Sequence, residues 1–404
     1  MQRAPAEQLR SGRQTWLIVA IAALTVLVSL GIGRSFGLFL SPISESLGTG
    51  REVFSLAIAV QSLIFGLPLA GMLADRIGAR WVIFWSALLL AVGLFVTSRL
   101  TSVPGLFLGI ALLGGVALSG TGFVVALGAV GRAIPEARRS FVFGLITASG
   151  SAGILVMAVL SQTWIGSFGW QTAMVLLAAI MLIVAGAALL LPKQDKADLN
   201  PEAAIPMMKA LSRARASRSY LLLIGGFFVC GFHVSFIGTH LPAFLEDGGL
   251  ESWVAPTSLG LIGLFNIGGS LVFGTLGDRL RKRTLLAVLY STRAVLMVAF
   301  LLVPLTAASA LVFSAAMGIV WLATVPLTSG IVAVIFGTRY LSTLFGIVFL
   351  SHQFGAFLGV WLGGRVFDST GSYDTVWVIA IALGVISAAI HLPIKERPMV
   401  AAHG

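Results

Sequence analysis

Apolar stretches of about 20 residues follow one another along the whole chain, parted by short polar turns. Each is long enough to cross a roughly 30 Å hydrocarbon layer as an α-helix. The pattern predicts twelve membrane-spanning segments, at 14–40, 52–73, 81–98, 104–129, 140–163, 169–191, 219–243, 255–277, 284–304, 308–336, 341–365 and 373–393. The first is too long for a removable signal peptide and lacks a small-residue cleavage site. The single long polar connection, 192–218, holds Pro192, Pro201 and Pro206 among mixed charges and reads as a linker. The expectation is an all-α membrane protein. A tail (1–13), a six-helix bundle (14–191), the linker, a second six-helix bundle (219–393) and a tail (394–404) follow in order.

The two bundles share a sequence pattern. Residues 31–42 read GIGRSFGLFLSP and residues 231–242 read GFHVSFIGTHLP, so Gly31, Ser35, Phe36 and Pro42 recur as Gly231, Ser235, Phe236 and Pro242. GMLADRIGAR at 71–80 returns as GTLGDRLRKR at 274–283, which pairs Asp75-Arg76 with Asp278-Arg279. Phe143-Gly144, Ser149 and Gly153 return as Phe345-Gly346, Ser351 and Gly355. Three echoes in one order at spacings of 200 to 203 residues mark a duplication, and a large doubled membrane protein points to a transporter.

Composition agrees: hydrophobic residues make up 58% of the chain and charged residues 10%, against roughly 25% charged in soluble domains. The net charge of +11 suggests nucleic acid only until the charges are placed. Of 26 Lys and Arg, 21 fall in the tails and in the loops on one side, and only Arg51, Arg99 and Arg365 fall in the opposite loops. The positive-inside rule then places both termini in the cytoplasm of a bacterial inner (plasma) membrane. The lone Cys230 offers neither an intrachain disulfide nor a thiolate cluster for a metal, so no metal or other cofactor is expected. No phosphate-binding, metalloprotease or nucleophile-elbow motif occurs, so the chain reads as a non-enzyme, and a monomer is expected.

Asp75-Arg76-x-Gly78-x-Arg80 joins the second and third segments, where an aspartate can accept bonds from a helix N-terminus while arginines bridge neighbours. With Asp278 and Arg279 in the second copy, these residues are expected to form a cytoplasmic gate. At this motif the chain resembles the major facilitator superfamily, whose hallmark is Gly-x-x-x-Asp-Arg-x-Gly-x-Arg with a weaker second copy. The resemblance covers essentially the whole chain and implies the major facilitator fold: two pseudo-symmetric six-helix bundles working by alternating access. Within it the chain is most similar to the monocarboxylate and oxalate transporter branch. That likeness rests on Arg139-x-x-x-x-Gly144 with Ser149-Gly150-Ser151-x-Gly153, on Phe168-Gly169-Trp170, and on Gly363-x-x-x-Phe367-Asp368-x-x-Gly371-Ser-Tyr373. The branch's substrate-binding arginine on the eighth helix is replaced here by Ser270, within Asn266-x-x-x-Ser270-x-x-x-Gly274, and its early acidic residue on the first helix is absent.

Ionisable groups at membrane depth are costly and mark function by default. The charge placement leaves two basic residues inside segments, Arg34 and Arg293, while all fifteen acids lie in loops, tails or segment ends. A basic cavity without carboxylates favours an anionic substrate over a cationic drug. Arg34 suits a carboxylate through its planar fork; animal monocarboxylate transporters look similar there, with lysine. Arg293 is expected to bond a neighbouring helix. His233 and His240, seven residues apart on one face, and His352 are the groups that titrate near neutral pH and so the candidates for proton coupling. Gln61, Ser149, Asn266 and Gln353 are candidates for orienting substrate, as are Arg34, His233 and His352. Gly355, Gly359 and Gly363 form a close-packing stripe. The reading is a secondary transporter moving a small organic anion, of the carboxylate class, together with a proton. An exporter of amphipathic compounds is the rival; a membrane receptor or enzyme would need a sensor domain or catalytic constellation. In the repeat, Arg34 faces Val234 and Gly150 faces His352, so chemistry is expected where the copies differ.

Overall fold

The computed structural model describes residues 12–67, 69–131, 136–192, 212, 214–336 and 341–397. Every regular element among them is helical. The first half holds α1 (Gly12–Ser35), α2 (Leu40–Leu47), α3 (Arg51–Phe65), α4 (Leu69–Ile77), α5 (Ala79–Arg99), α6 (Val103–Leu106), α7 (Gly115–Thr121), α8 (Phe123–Gly131) and α9 (Glu136–Ala188). The second half holds α10 (Arg218–Asp247), α11 (Val254–Arg279), α12 (Lys282–Leu302), α13 (Ala307–Ile319), α14 (Thr324–Phe336), α15 (Leu341–Thr370) and α16 (Asp374–His391). Among the described residues, ten helical stretches are long and apolar enough to cross a membrane. Most of the linker, most of each tail, and the side chains of Asp75, Arg76, Arg139 and Asp278 lie outside the described residues.

Several predicted segments are subdivided. The first runs through a tight turn, Phe36–Phe39, into α2. The second is interrupted between α3 and α4 at Gly66-Leu67. The fourth contains a π-helical turn, Phe107–Gly114, and breaks again at Gly122, whose backbone is extended (φ −80°, ψ −177°). The tenth is broken at 320–323, between α13 and α14. The fifth and sixth form one run, α9, that folds back at Gly169, where φ is 80°. Gly78 of the loop motif has φ 89° at the entry to α5. Both positions lie in the left-handed region, which a side chain strongly disfavours and glycine does not.

Two seams carry the packing. α1 lies on the first limb of α9, and α10 lies on α15. A Cβ at Gly153 would stand 1.9 Å from the Leu27 carbonyl oxygen, and one at Gly355 would stand 1.9 Å from that of Phe228. Small residues are what allow such backbone contact, where the bilayer supplies little hydrophobic drive between helices. Ser149 donates to the Ala23 carbonyl at 3.1 Å, and Ser351 to the Ile224 carbonyl at 2.9 Å. The third echo in the sequence is therefore a seam, built twice.

A further pair of contacts repeats at the end that carries the Lys/Arg-rich loops. Arg80 donates to the Leu191 carbonyl at 3.1 Å, and Arg283 donates to those of Leu392 and Ile394 at 3.0 and 2.9 Å. Each arginine covers carbonyls left free at the end of its half's last helix, where a cation is favoured.

Candidate functional site

Arg34 occupies the last turn of α1 and is half-buried. One turn further on, Gly37 presses against α10, where a Cβ would stand 2.5 Å from the Gly238 carbonyl oxygen. That crossing brings the end of α1, on which Arg34 lies, against the second half. Among the described residues the Arg34 guanidinium makes no hydrogen bond or ion pair, and its planar fork carries five donors.

Two polar bridges join the halves at a similar depth. Asn266 of α11 donates to Ser151 Oγ of α9 at 3.1 Å, and its oxygen accepts from the Leu322 amide at 3.0 Å and from Ser270 Oγ at 3.2 Å. Gln353 of α15 donates to the Ser62 carbonyl of α3 at 3.1 Å, and its oxygen lies 2.9 Å from His352 Nδ1. The His352 ring is buried between Phe349, stacked at 5.5 Å, and Phe227. Thus Asn266 and Gln353 each bridge the halves, on separate helix pairs, and His352 lies beside Gln353.

The other candidates have protein partners elsewhere. His233 bonds the Ala380 carbonyl of α16 through Nε2 at 2.7 Å, on the side of α10 that faces its own half. His240 spends both ring nitrogens, on the Val360 carbonyl at 2.8 Å and on the Tyr373 hydroxyl at 3.2 Å. Gln61 donates to the Ile110 carbonyl at 2.9 Å, inside the π-helical turn, where the ordinary ladder slips and an acceptor is freed. Ser149 belongs to the α1–α9 seam, Arg80 caps α9, and Arg279 is exposed. Two apolar surface grooves, one beside Trp81 and Trp85 and one beside Phe265 and Ile319, contain none of the candidates.

A charged lock joins the halves at the end away from the Lys/Arg-rich loops. Arg51 grips Asp247 with both terminal nitrogens, at 2.5 and 2.6 Å, and donates to the Tyr373 hydroxyl at 3.0 Å. Its guanidinium lies 3.9 Å from the centre of the Phe367 ring. Burial works against the Arg51 charge, but its bonds to Asp247 and Tyr373 outweigh burial and hold its proton affinity above the ordinary value. Asp368 accepts the backbone amides of Arg51 and Glu52 at 2.8 and 2.7 Å, so a second-half carboxylate caps the N-terminus of α3. Glu52 in turn accepts from Trp361 and Arg365 at 3.1 and 3.0 Å. Behind this lock, α10 is buried without interruption from Val229 to Ala243, whereas Leu221, near its other end, is 50% exposed.

The family model described as Major Facilitator Superfamily matches residues 19–360. The chain belongs to the major facilitator superfamily. It is 28% identical over 374 residues to monocarboxylate transporter 13 of Rattus norvegicus, an alignment covering 90% of this chain and 85% of that one. It is 24% identical over 407 residues to the uncharacterized MFS-type transporter YcxA of Bacillus subtilis, with 95% of each chain covered. Monocarboxylate transporter 11 of Homo sapiens is 27% identical over 398 residues, covering 93% of this chain and 82% of that one.

This major facilitator protein is a multi-pass membrane transporter, not an enzyme. Its lock was the part that sequence reasoning missed. The signal was present: Arg51-Glu52 opens the second segment, and Asp247 and Asp368 close segments that end on the same side. The motif from Gly363 to Tyr373, quoted above only as a mark of kinship, forms most of the second-half face. Gly363 admits the His240 ring, where a Cβ would meet it at 2.3 Å. Phe367 lies under Arg51, Asp368 caps α3, and Tyr373 joins Arg51 to His240.

Proposed function

We propose that this protein carries a small organic anion of the carboxylate class, together with a proton, across the bacterial plasma membrane by alternating access. Twelve crossings form two six-helix bundles, 14–191 and 219–393, with both termini and the linker 192–218 in the cytoplasm. The paired seams, Gly153 with Leu27 and Gly355 with Phe228, support the two-bundle reading. The bundles rock about the level of Arg34. The Arg51–Asp247 lock closes the outer end, and Asp75, Arg76 and Asp278 act at the inner end in the opposite state.

One observation carries the substrate class. A half-buried arginine stands at the interface between halves with no carboxylate bonded to it among the described residues. The monocarboxylate transporters among its relatives support the same reading. Arg34 holds the carboxylate; His352, beside Gln353, carries the proton. The anion offsets the Arg34 charge where it is desolvated, and proton and anion together leave the net charge of the site as it is when empty, which favours a closed, loaded intermediate.

Counterflow of a panel of labelled carboxylates into liposomes, at two external pH values, tests this. Uptake rises as the external pH falls, and Arg34→Ala abolishes it. Carboxylate binding retained by the Arg34→Ala protein, or uptake indifferent to pH in the parent, would remove the corresponding half of the proposal.

A further inference from the structure

We infer that Arg293 is a positioning residue for the transport cycle: it fixes the break between α13 and α14, and through Asn266 that break is tied to the other half of the molecule. The inference rests on the rocking of the two halves proposed above.

Arg293 is fully buried in α12. Its Nε and Nη2 donate to the Val320 carbonyl at 3.0 and 2.7 Å, Nη2 also donates to the Trp321 carbonyl, and Nη1 lies 3.5 Å from Cys230 Sγ. Among the described residues no carboxylate bonds it. Its charge is met instead by the carbonyl end of α13, the negative pole of a helix. The start of α14 is held separately, by Cys230 against the Thr324 hydroxyl at 3.2 Å. Between these two anchors, the Leu322 amide donates to Asn266, whose amide donates to Ser151 of the first half. The break is therefore pinned on its carbonyl side by α12, and its free amide is linked to α9.

The first half shows that the fold does not require this. α5 (Ala79–Arg99) and α12 (Lys282–Leu302) are the same length and 203 residues apart, which puts Leu90 where Arg293 stands. Thr121 corresponds to Thr324 at the same spacing, beside the break at Gly122. There one neutral bond suffices: the Ser29 hydroxyl donates to the Thr121 carbonyl at 3.0 Å. At that spacing 320–323 falls on 117–120, inside α7, so the first half breaks two residues further on, at Gly122, and does so with no buried cation on α5. The second half replaces that leucine by a desolvated cation, a costly choice unless the break's geometry matters to something beyond stability. What it controls here is the position of the Leu322 amide, hence the Asn266–Ser151 bridge between moving parts.

The test is an electron-spin distance measurement across the lock end, on purified protein in nanodiscs. Cys230→Ser removes the sole cysteine, and spin labels are placed at Ser46→Cys and Ser252→Cys, exposed positions on opposite halves. In this background Arg51→Gln, which opens the lock, adds a longer-distance population. Arg293→Met is expected to raise the ratio of long to short distances at least threefold, with Arg293→Lys intermediate because it keeps the charge without the fork. Ser151→Ala shifts the ratio the same way and adds nothing to Arg293→Met. A parent-like ratio in Arg293→Met, or additive effects with Ser151→Ala, overturns the inference. Should Arg293→Met fail to fold, Arg293→Lys and Ser151→Ala carry the same comparison. An unchanged distribution in Arg51→Gln removes the rocking reading instead.

Discussion

The two halves solve one packing problem twice, and they differ in how much polarity they bring to it. In the first half, α7 and α8 part at Gly122 beside Ser29; in the second, α13 and α14 part beside Cys230 and Arg293. The seams match closely, glycine against carbonyl and serine against carbonyl. Shared contacts mark what the fold needs. The unshared ones, Arg34 in the first half and Arg293, His352 and Asn266 in the second, mark what it does not need.

The strongest way to break that comparison is to attack the shared seams. Gly153→Leu and Gly355→Leu drive a side chain into backbone atoms that cannot move aside, and each is expected to abolish folded protein, read as the loss of a monodisperse peak after extraction. If only one half were sensitive, the equivalence of the seams would fail. Next comes Arg34, which has no counterpart in the repeat. Arg34→Ala is expected to cut carboxylate counterflow at least 100-fold, about 3 kcal/mol of lost charge-assisted binding. Val234→Ala, the change at its register partner, should leave counterflow within about threefold and would sharpen the contrast.

Smaller effects follow at the lock and the first-half break. Asp247→Asn removes a half-exposed ion pair and is expected to shift the balance between the two ends by about 1 kcal/mol, visible as a longer-distance population between spin labels at the lock end. The smallest change is Ser29→Ala, which frees one buried carbonyl and should lower the thermal midpoint in detergent by the equivalent of about 1 kcal/mol. A larger loss there would mean that the first half also depends on its break, and the asymmetry argued above would be weaker.

Much of this was legible in the sequence because the evidence was local or periodic. Long apolar runs forecast the helices, and the 200-residue echoes forecast which glycines and serines would sit in matching places. What escaped was pairing at a distance. Arg51 and Asp247 are 196 residues apart, and no periodicity links them. The histidines escaped for another reason. Hydropathy says that His233 and His240 lie in a membrane segment, but in a helix polar contacts are available on every side. Only the structure turns His233 toward α16 and gives both nitrogens of His240 to the rim of the lock. Breaks inside segments were hidden too, since Gly122 looks no different from the glycines that stay helical around it.

The cap that Asp368 places on α3 bears on how a strong closure can still reverse. The amides of Arg51 and Glu52 are donors at a helix start, and a donor there can be satisfied by a carboxylate or by solvent. In the proposed cycle, water takes over these two amides at the mouth of the protein when the lock parts, so neither is left without a partner. The closed end is held by many specific bonds, yet opening it trades partners instead of forfeiting them. Two states of nearly equal free energy, which any carrier must visit in turn, then need no compensating strain elsewhere.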